Sequence, residues 1–183
     1  MRQAGWSPFL ARRALPAALC PFLPERRSLT RALQRACQTF AVRRLWQGKA
    51  SVFPDEAAAL RLRPGRRAWV REVLLVMDGV PAVFARSVMP IAPRHRFDIA
   101  FHALGESALG SLLFANPRIK RSPLEFRRLN TRYPLHRRAA RQTRPAPRFW
   151  ARRSRFNQAA KGILVTEVFC CFQAAPKRPE KTI

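Results

Sequence analysis

Two apolar segments separated by Asp78-Gly79 constrain the fold more than any other part of this 183-residue sequence. Residues 69–77 (Trp-Val-Arg-Glu-Val-Leu-Leu-Val-Met) have the composition of a β-strand, and so do residues 80–89. An Asp-Gly pair between such segments is typical of a two-residue β-turn, because glycine adopts the positive φ angle that this turn requires. The pattern predicts an antiparallel hairpin that ends at Pro90.

The other segments predict an α+β fold with a single domain. Ser28 is a suitable N-cap for a helix over residues 29–40, since the apolar residues there recur at helical spacing. The further expected elements are strands at 49–53, 149–156 and 163–172, a loop at 54–65, and two short helices, one capped by Asp98 and ended by Gly105, the other running from Ser107 to Phe114. We expect an antiparallel sheet with helices covering one side. The domain would span 28–172, after an irregular segment (1–27) and before a polar tail (173–183), with a basic loop insertion at about 117–148 that contains short helical pieces.

The charge is strongly basic, with 36 Lys and Arg against 10 Asp and Glu. Residues 118–155 alone hold fourteen basic side chains and one acidic side chain, Glu125. Such a stretch is compatible with an anionic membrane surface, nucleic acid, attraction of a small anionic substrate, a solvated face, or a compositional drift without function. No helix-turn-helix or RNA-binding motif accompanies the charge, so we expect no specific nucleic-acid partner. Peripheral membrane contact through the basic loop stays open.

The sequence indicates neither a targeting signal nor a metal site. The apolar stretch at residues 14–20 is short and contains Pro16, so a cytoplasmic protein is expected. The four cysteines form no Cys-x-x-Cys pair and do not cluster with the three histidines. Free buried thiols are therefore the expected state, without a zinc site or a disulfide framework.

Two charged residues lie in strand positions that are otherwise apolar. Arg71 shares its strand face with Trp69 and Val73, and Glu167 shares its face with Val165 and Phe169. A buried charge is costly unless it is paired, so each needs a partner. The two could pair with each other, one sheet face could meet solvent, or the charges could hold a ligand that carries a carboxylate and a hydroxyl. An arginine suits the first group because its planar fork matches a carboxylate.

The return strand of the hairpin repeats this pattern. Arg86 lies between Phe84 and Val88 on one face of that strand. It is a candidate site residue, and an ordinary edge or surface arginine is the alternative interpretation.

The same segments resemble bacterial chorismate pyruvate-lyases, which act in ubiquinone biosynthesis. The resemblance covers about residues 28–172 through six motifs in order: Trp69-Val-Arg-Glu-Val-Leu-Leu, Asp78-Gly79-x-Pro81, Ala85-Arg-Ser-Val-Met-Pro90, Leu104-Gly-x-x-x-Leu-Gly-x-x-Leu-Phe114, Phe149-Trp-Ala-Arg-Arg-Ser-Arg155 and Leu164-Val-Thr-Glu-Val-Phe169. It implies an α+β domain with an enclosed site under two helical flaps, and no metal or organic cofactor. The segment between residues 114 and 149 is longer and more basic than the family pattern, and the residues before 28 match poorly.

The resemblance also implies roles for individual residues. Arg71 would bind the ring carboxylate of chorismate, and Glu167 would face the hydroxyl at the opposite end of the ring. Leu29 and Leu109 would contact the ligand from the flaps, largely through their backbone. Apart from the resemblance, our mechanistic hypothesis is that Arg86, or one of the arginines in the run 152–155, stabilises the carboxylate of the departing pyruvate.

The expected reaction splits chorismate into 4-hydroxybenzoate and pyruvate, with positioning and charge stabilisation as the main contributions of the protein. The sequence does not identify the group that moves the proton. The alternative is a non-catalytic binding module, because a related fold senses small anions in transcription regulators. Such regulators carry a DNA-binding domain ahead of that module, and about 27 residues are too few for one, since domains rarely fall below ~40 residues. We expect a monomer.

Overall fold

The computed structural model describes residues 5–10, 15–91, 109–158 and 161–172. Within these ranges seven strands form one sheet in which every pairing is antiparallel. The strands are β1 (Phe40–Ser51), β2 (Arg67–Met77), β3 (Val80–Pro90), β4 (Lys120–Arg121), β5 (Glu125–Asn130), β6 (Arg148–Gln158) and β7 (Lys161–Phe169). Their order is β1-β2-β3-β7-β6, and both β4 and β5 pair with β6. The helices are α1 (Leu29–Gln34), α2 (Pro54–Leu60), α3 (Leu109–Ala115) and α4 (Pro134–Ala140).

The predicted hairpin is confirmed as β2 and β3. Asp78 and Gly79 both have positive φ angles, 47° and 77°, as a two-residue turn of this type requires. The Asp78 carboxylate also accepts hydrogen bonds from the backbone N–H groups of Gln38 and Thr39, at 2.9 and 2.8 Å. These two hydrogen bonds hold the segment that leads into β1 against the turn.

The helix predicted over residues 29–40 is too long. It ends at Gln34, and Phe40 begins the twelve-residue strand β1, of which the predicted strand at 49–53 is only the last part. Leu29 and Leu33 are buried as expected, but the helical spacing of Cys37 and Phe40 is coincidental. β1 pairs with β2 along its whole length, and the hydrogen bonds of that pairing outweigh a weak local preference for helix.

Two segments expected to be loops contain regular structure. In the first, Pro54 begins α2 at a position where a missing N–H costs nothing. The Glu56 carboxylate then accepts a hydrogen bond from the Phe53 N–H at 2.8 Å and caps the same helix end. In the second, the basic stretch, the short helix α4 agrees with the expected helical pieces, but the strands β4 and β5 were not expected. β5 completes the sheet beside β6, and α4 packs beneath it.

Helices pack on both faces of the sheet, which corrects the expectation that they cover only one. The site face carries Arg71, Val73 and Leu75 of β2 and packs against α1 and α3. The opposite face carries Leu74 and Val70 and packs against α2 and α4. The α+β class and the single domain are confirmed.

The segment before α1 belongs to the packed interior. Leu19 and Leu23 are buried on the site face, and Trp6 is buried on the opposite face. None of the helices in the described ranges has the length and apolar character needed to cross a membrane. The helix predicted between Asp98 and Gly105, the Ser107 cap and the tail at 173–183 lie outside the described residues.

The cysteines differ partly from the expectation of buried thiols. All four are free, but only Cys170 is buried, while Cys20 and Cys171 are exposed. Burial raises the pKa of Cys170 to about 11, so this thiol stays protonated and unreactive at neutral pH.

Candidate active site

A cavity of about 50 Å³ lies between the site face of the sheet and the helices α1 and α3. This volume is several times the roughly 10–15 Å³ that one water molecule needs. Its floor consists of side chains from β2, β3, β6 and β7, and its walls are mainly apolar. The lining residues of the floor are Arg71, Val73, Leu75, Ala85, Ser87, Arg152, Phe156, Val165 and Glu167.

The four residues predicted to bind a ligand line this one cavity: Arg71, Glu167, Leu29 and Leu109. Arg71 is on β2 and Glu167 is on β7, with β3 between them. Across β3, Ser87 lies opposite Arg71 and Ala85 lies opposite Glu167. The two charges are therefore separated by two strand spacings and offset along the strands, which sets them at different ends of the floor.

Arg71 is almost completely buried, with 2% of its surface exposed. Burial lowers the pKa of its guanidinium to about 10, and the positive charge of the nearby Arg44 acts in the same direction. The group is still cationic at neutral pH. A desolvated cation of this kind is stabilised when an anion enters the cavity.

Glu167 forms its ion pair with Arg152. The alternative in which Arg71 and Glu167 pair with each other is therefore wrong. Arg152 Nε donates to Glu167 Oε2 at 2.5 Å, and its side chain is fully buried. Arg152 Nη1 donates to three backbone carbonyls of the segment before α1, those of Phe22, Leu23 and Glu25. Arg152 therefore fixes the Glu167 carboxylate and ties the segment to the floor.

The roof of the cavity is formed where α1 and α3 meet. Leu29 on α1 and Leu109 on α3 are both buried against the cavity. A Cβ on Gly110 would lie 3.5 Å from Ser28 Oγ and 3.7 Å from Thr30 Oγ1, so the two helices are in close contact at this point. The sheet face is covered, and the interpretation in which it meets solvent is wrong.

The structure does not bring Arg86 to the cavity, which corrects its assignment as a catalytic candidate. It lies on the opposite face of the sheet, where its guanidinium bonds to Glu56 at 2.7 Å and to Glu72 at 2.6 Å. The alternative of an ordinary surface arginine is also wrong, because only 2% of Arg86 is exposed. Strand alternation explains the position. Arg86 is paired with Glu72, which directly follows Arg71 in β2 and therefore points to the opposite face of the sheet.

Sequence reasoning missed several polar residues of the cavity. The sequence offered Arg152 only as one of several neighbouring arginines. In the structure, side chains alternate along β6, so Arg152 faces the cavity while Arg153 faces the other side of the sheet and bonds to Glu125. Arg121 was not singled out, because the two-residue strand β4 is too short to give a sequence pattern. Ser87, between Arg86 and Val88 in sequence, also lines the cavity.

Comparison with known sequences decides the family. The profile of the family described as chorismate lyase matches residues 1–176. The chain belongs to the chorismate lyase family. It is thereby a carbon–oxygen lyase.

Individual members of the family align over most of the chain. A probable chorismate pyruvate-lyase from Aromatoleum aromaticum is 46% identical over 160 residues, which covers 85% of each protein. One from Dechloromonas aromatica is 42% identical and covers 92% of this chain and 96% of the relative.

Comparison with solved structures concerns the fold alone. The effector domain of PhnF from Mycobacterium smegmatis has a TM-score of 0.55 at 11% identity, and the match covers 81% of this chain and 91% of that domain. The C-terminal domain of a histidine utilization repressor from Pseudomonas syringae has a TM-score of 0.52 at 11% identity, over 79% of this chain and all of that domain. The fold is thus shared with effector domains of transcription regulators.

Proposed function

We propose that this protein eliminates pyruvate from chorismate and forms 4-hydroxybenzoate, an aromatic acid for ubiquinone biosynthesis. The observation that carries the proposal is the convergence of Arg71 and Glu167 on one cavity from separate strands. A carboxylate and a hydroxyl stand at opposite ends of the 4-hydroxybenzoate ring. A buried cation at one place on the floor and an oriented carboxylate at another match these two groups.

The charge of the cavity supports an anionic substrate. Arg27, Arg71, Arg121 and Arg152 are among the described lining residues, and Glu167 is the one carboxylate among them. Chorismate is a dianion, with one carboxylate on the ring and one on the enolpyruvyl ether. An excess of guanidinium groups in a site shielded from water stabilises such a substrate and the charge that moves during the reaction.

The proposed reaction needs little covalent participation by the protein. The ether bond between the ring and the enolpyruvyl oxygen breaks, and the ring carbon that bears the hydroxyl loses a proton. The electrons of that C–H bond complete the aromatic ring, while the released enolpyruvate takes up a proton on its methylene carbon and becomes pyruvate. The side chains of the cavity act by holding the ring carboxylate and the hydroxyl in a fixed orientation and by excluding water.

The direct test is to incubate the purified protein with chorismate and to measure 4-hydroxybenzoate and pyruvate in the same samples. Equal amounts of both products at every time point are expected. If neither forms but 4-hydroxybenzoate raises the melting temperature, the cavity binds without chemistry, and the function is closer to that of the effector domains. If there is no product and no shift, both assignments fail.

Substitution of Glu167 by glutamine should weaken binding of 4-hydroxybenzoate about tenfold to a hundredfold. A hydrogen bond to a charged group contributes roughly 1.5–3 kcal/mol, and the neutral amide loses that charge while it keeps the shape of the side chain. Dissociation constants are measured by calorimetry. Benzoate, which lacks the hydroxyl, is the matched ligand and should bind the variant and the wild type equally. Equal weakening of both ligands would contradict the role of Glu167.

A further inference from the structure

Arg121 is a cavity arginine to which neither the proposed reaction nor the family resemblance gives a role. It is on β4, directly opposite Phe156 of β6, and its guanidinium lines the cavity. Nε donates to Ser154 Oγ at 2.8 Å. Nη1 donates to the backbone carbonyls of Arg26 and Arg27, at 2.7 and 3.1 Å. These bonds hold the guanidinium in one orientation beside the residues that precede α1.

The contacts of Arg121 leave one edge of its guanidinium for a ligand. Within the described ranges, its Nη2 has no hydrogen-bond partner, and no carboxylate lies within ion-pair distance of the group. Its planar surface lies near the rings of Phe114 and Phe156, with its central carbon 5.7 and 5.1 Å from their centroids. Burial lowers the pKa of Arg121 to about 10. A fixed, desolvated cation with a free donor is a suitable site for a carboxylate.

The two buried arginines of the cavity, Arg152 and Arg71, already have roles. Arg152 uses Nε for Glu167 and Nη1 for three backbone carbonyls. Arg71 is the residue proposed for the ring carboxylate. Arg27 is exposed, so among the described lining arginines that are at least partly buried, Arg121 is the guanidinium that remains for a second anionic group.

The position of Arg121 fits the chemistry of the substrate. In chorismate the enolpyruvyl ether is attached to the carbon next to the one that bears the hydroxyl, so its carboxylate lies nearer to the hydroxyl end of the ring. Arg121 lies at the corresponding end of the cavity, close enough to Glu167 and Arg152 for their charges to act on it. The second carboxylate of chorismate needs a cation near Glu167 rather than near Arg71. Arg121 is on β4, at the far end of the strand order from β2, which carries Arg71.

We propose that Arg121 binds the carboxylate of the enolpyruvyl group. This inference rests on the proposed function, and it distinguishes substrate from product. Chorismate uses both Arg71 and Arg121, whereas 4-hydroxybenzoate has no second carboxylate and uses Arg71 alone. Cleavage thus breaks the covalent link between the groups held by the two arginines, and pyruvate leaves from the Arg121 side.

The test compares ligands with one and two carboxylates in wild type and Arg121→Met. The kcat/KM for chorismate should fall about a hundredfold, as expected when one partner of a buried charge pair is removed. The dissociation constant of 4-hydroxybenzoate should change less than about threefold, which is well inside the effect of a single lost hydrogen bond. Lys120→Met is the matched control, since Lys120 is the exposed neighbour on the same strand and its loss removes the same charge. It should leave both quantities unchanged.

A second measurement separates ligand binding from support of the roof. The probe is 3-(carboxymethoxy)benzoate, an unreactive ring with a second carboxylate on an ether beside the hydroxyl position. Wild type should bind it more tightly than benzoate, and in Arg121→Met this difference should shrink at least tenfold. If that variant does not fold, Arg121→Gln, which removes the charge but keeps a polar side chain, should shrink the difference by a similar factor. Because the ratio of the two ligands is compared within one variant, a general loosening of the cavity cancels.

The outcomes separate this inference from the proposed function. Equal weakening of benzoate and the dicarboxylate in the variant would overturn the role of Arg121, as would an unchanged kcat/KM. Turnover by the wild type with either of these results would leave the proposed function standing. Absence of 4-hydroxybenzoate formation by the wild type would overturn both.

Discussion

Replacement of Arg71 by alanine should lower kcat/KM for chorismate about a thousandfold, equivalent to about 4 kcal/mol of lost transition-state stabilisation. The size of the effect follows from the burial of the side chain, of which 2% is exposed. In the variant the ring carboxylate enters a cavity without its guanidinium partner, and water cannot replace the partner fully. Initial rates over a range of chorismate concentrations give the value directly.

Arg44 provides the matched control for this experiment. It is an exposed arginine on β1, near enough to Arg71 for its charge to lower the pKa of Arg71, but it does not line the cavity. Arg44→Ala changes the net charge by the same amount, yet it should change kcat/KM less than about threefold, because exposed charges act weakly through water. A similar loss in both variants would indicate that the overall positive field matters and that Arg71 has no special role.

A lysine at position 71 distinguishes charge from geometry. Lysine keeps the positive charge but lacks the planar fork that forms two parallel hydrogen bonds with a carboxylate. Arg71→Lys should therefore recover only part of the activity that Arg71→Ala loses. Activity of Arg71→Ala within a few-fold of wild type would rule out the role of Arg71 altogether.

The sequence predicted those parts of the fold in which local pattern and final structure agree. The β2–β3 hairpin is one example, because Asp78-Gly79 specifies the turn and the apolar segments on each side specify the strands. Arg71 and Glu167 were identifiable for a related reason: a charge in an apolar strand face needs a partner, whatever the rest of the fold is.

The elements that sequence reasoning missed depend on contacts that are distant along the chain. β1 pairs with residues of β2 that are 16 to 37 positions further along the chain, and β5 pairs with β6, so neither strand is specified by its own composition. Arg121 reaches the cavity only because β4 pairs with the end of β6. The wrong assignment of Arg86 has another origin: alternation predicts that neighbouring strand residues face opposite ways, but not which face encloses the cavity.

The basic composition is partly explained by these internal arginines. Among the residues that the structure describes, five acidic side chains are partners of buried arginines: Glu56 and Glu72 of Arg86, Glu167 of Arg152, and Asp55 and Glu125 of Arg153. A stretch that looks like a solvated charge run from composition therefore contributes ion pairs to both sides of the sheet. Peripheral contact of its exposed arginines with an anionic membrane stays a prediction.

Replacement of Arg86 by methionine should destabilise the protein by about 3–5 kcal/mol, the usual consequence of removing one partner from a buried ion pair. Glu56 and Glu72 are 2% and 3% exposed, so water cannot solvate the carboxylates that the variant leaves behind. The packing of Phe53 against the guanidinium, 4.2 Å from the ring centroid, is lost as well. At roughly 2–4 °C per kcal/mol for a chain of this length, the melting temperature should fall by about 10 °C.

A substitution of Arg138 tests whether burial of the ion pair causes the large loss of stability expected for Arg86→Met. It binds the same carboxylate, with Nη2 2.7 Å from Glu72 Oε2, but 43% of its side chain is exposed. Because exposed ion pairs contribute about 0–1 kcal/mol, Arg138→Met should lower the free energy of unfolding far less than Arg86→Met does. Equal effects of the two substitutions would contradict the explanation.

The pH dependence of the Arg86→Met variant provides an independent check. Burial already raises the pKa of Glu56 above its ordinary value, with Arg86 acting against this, so removal of Arg86 should raise it further. A carboxyl group with a raised pKa in the folded state favours folding when it is protonated, and this contribution is lost as the pH rises through that pKa. The stability difference between wild type and variant should therefore be smaller at pH 5 than at pH 8.

The same variant decides between a structural and a catalytic role for Arg86. Well below its melting temperature, Arg86→Met should retain kcat/KM within about tenfold of wild type, because the sheet separates the side chain of residue 86 from the cavity. A loss of kcat/KM close to that of Arg71→Ala would be larger than an indirect effect explains. Addition of Glu56→Gln should restore part of the stability, because the double variant no longer buries the Glu56 carboxylate without its guanidinium. Full stability of Arg86→Met combined with a large loss of activity would return Arg86 to the catalytic site.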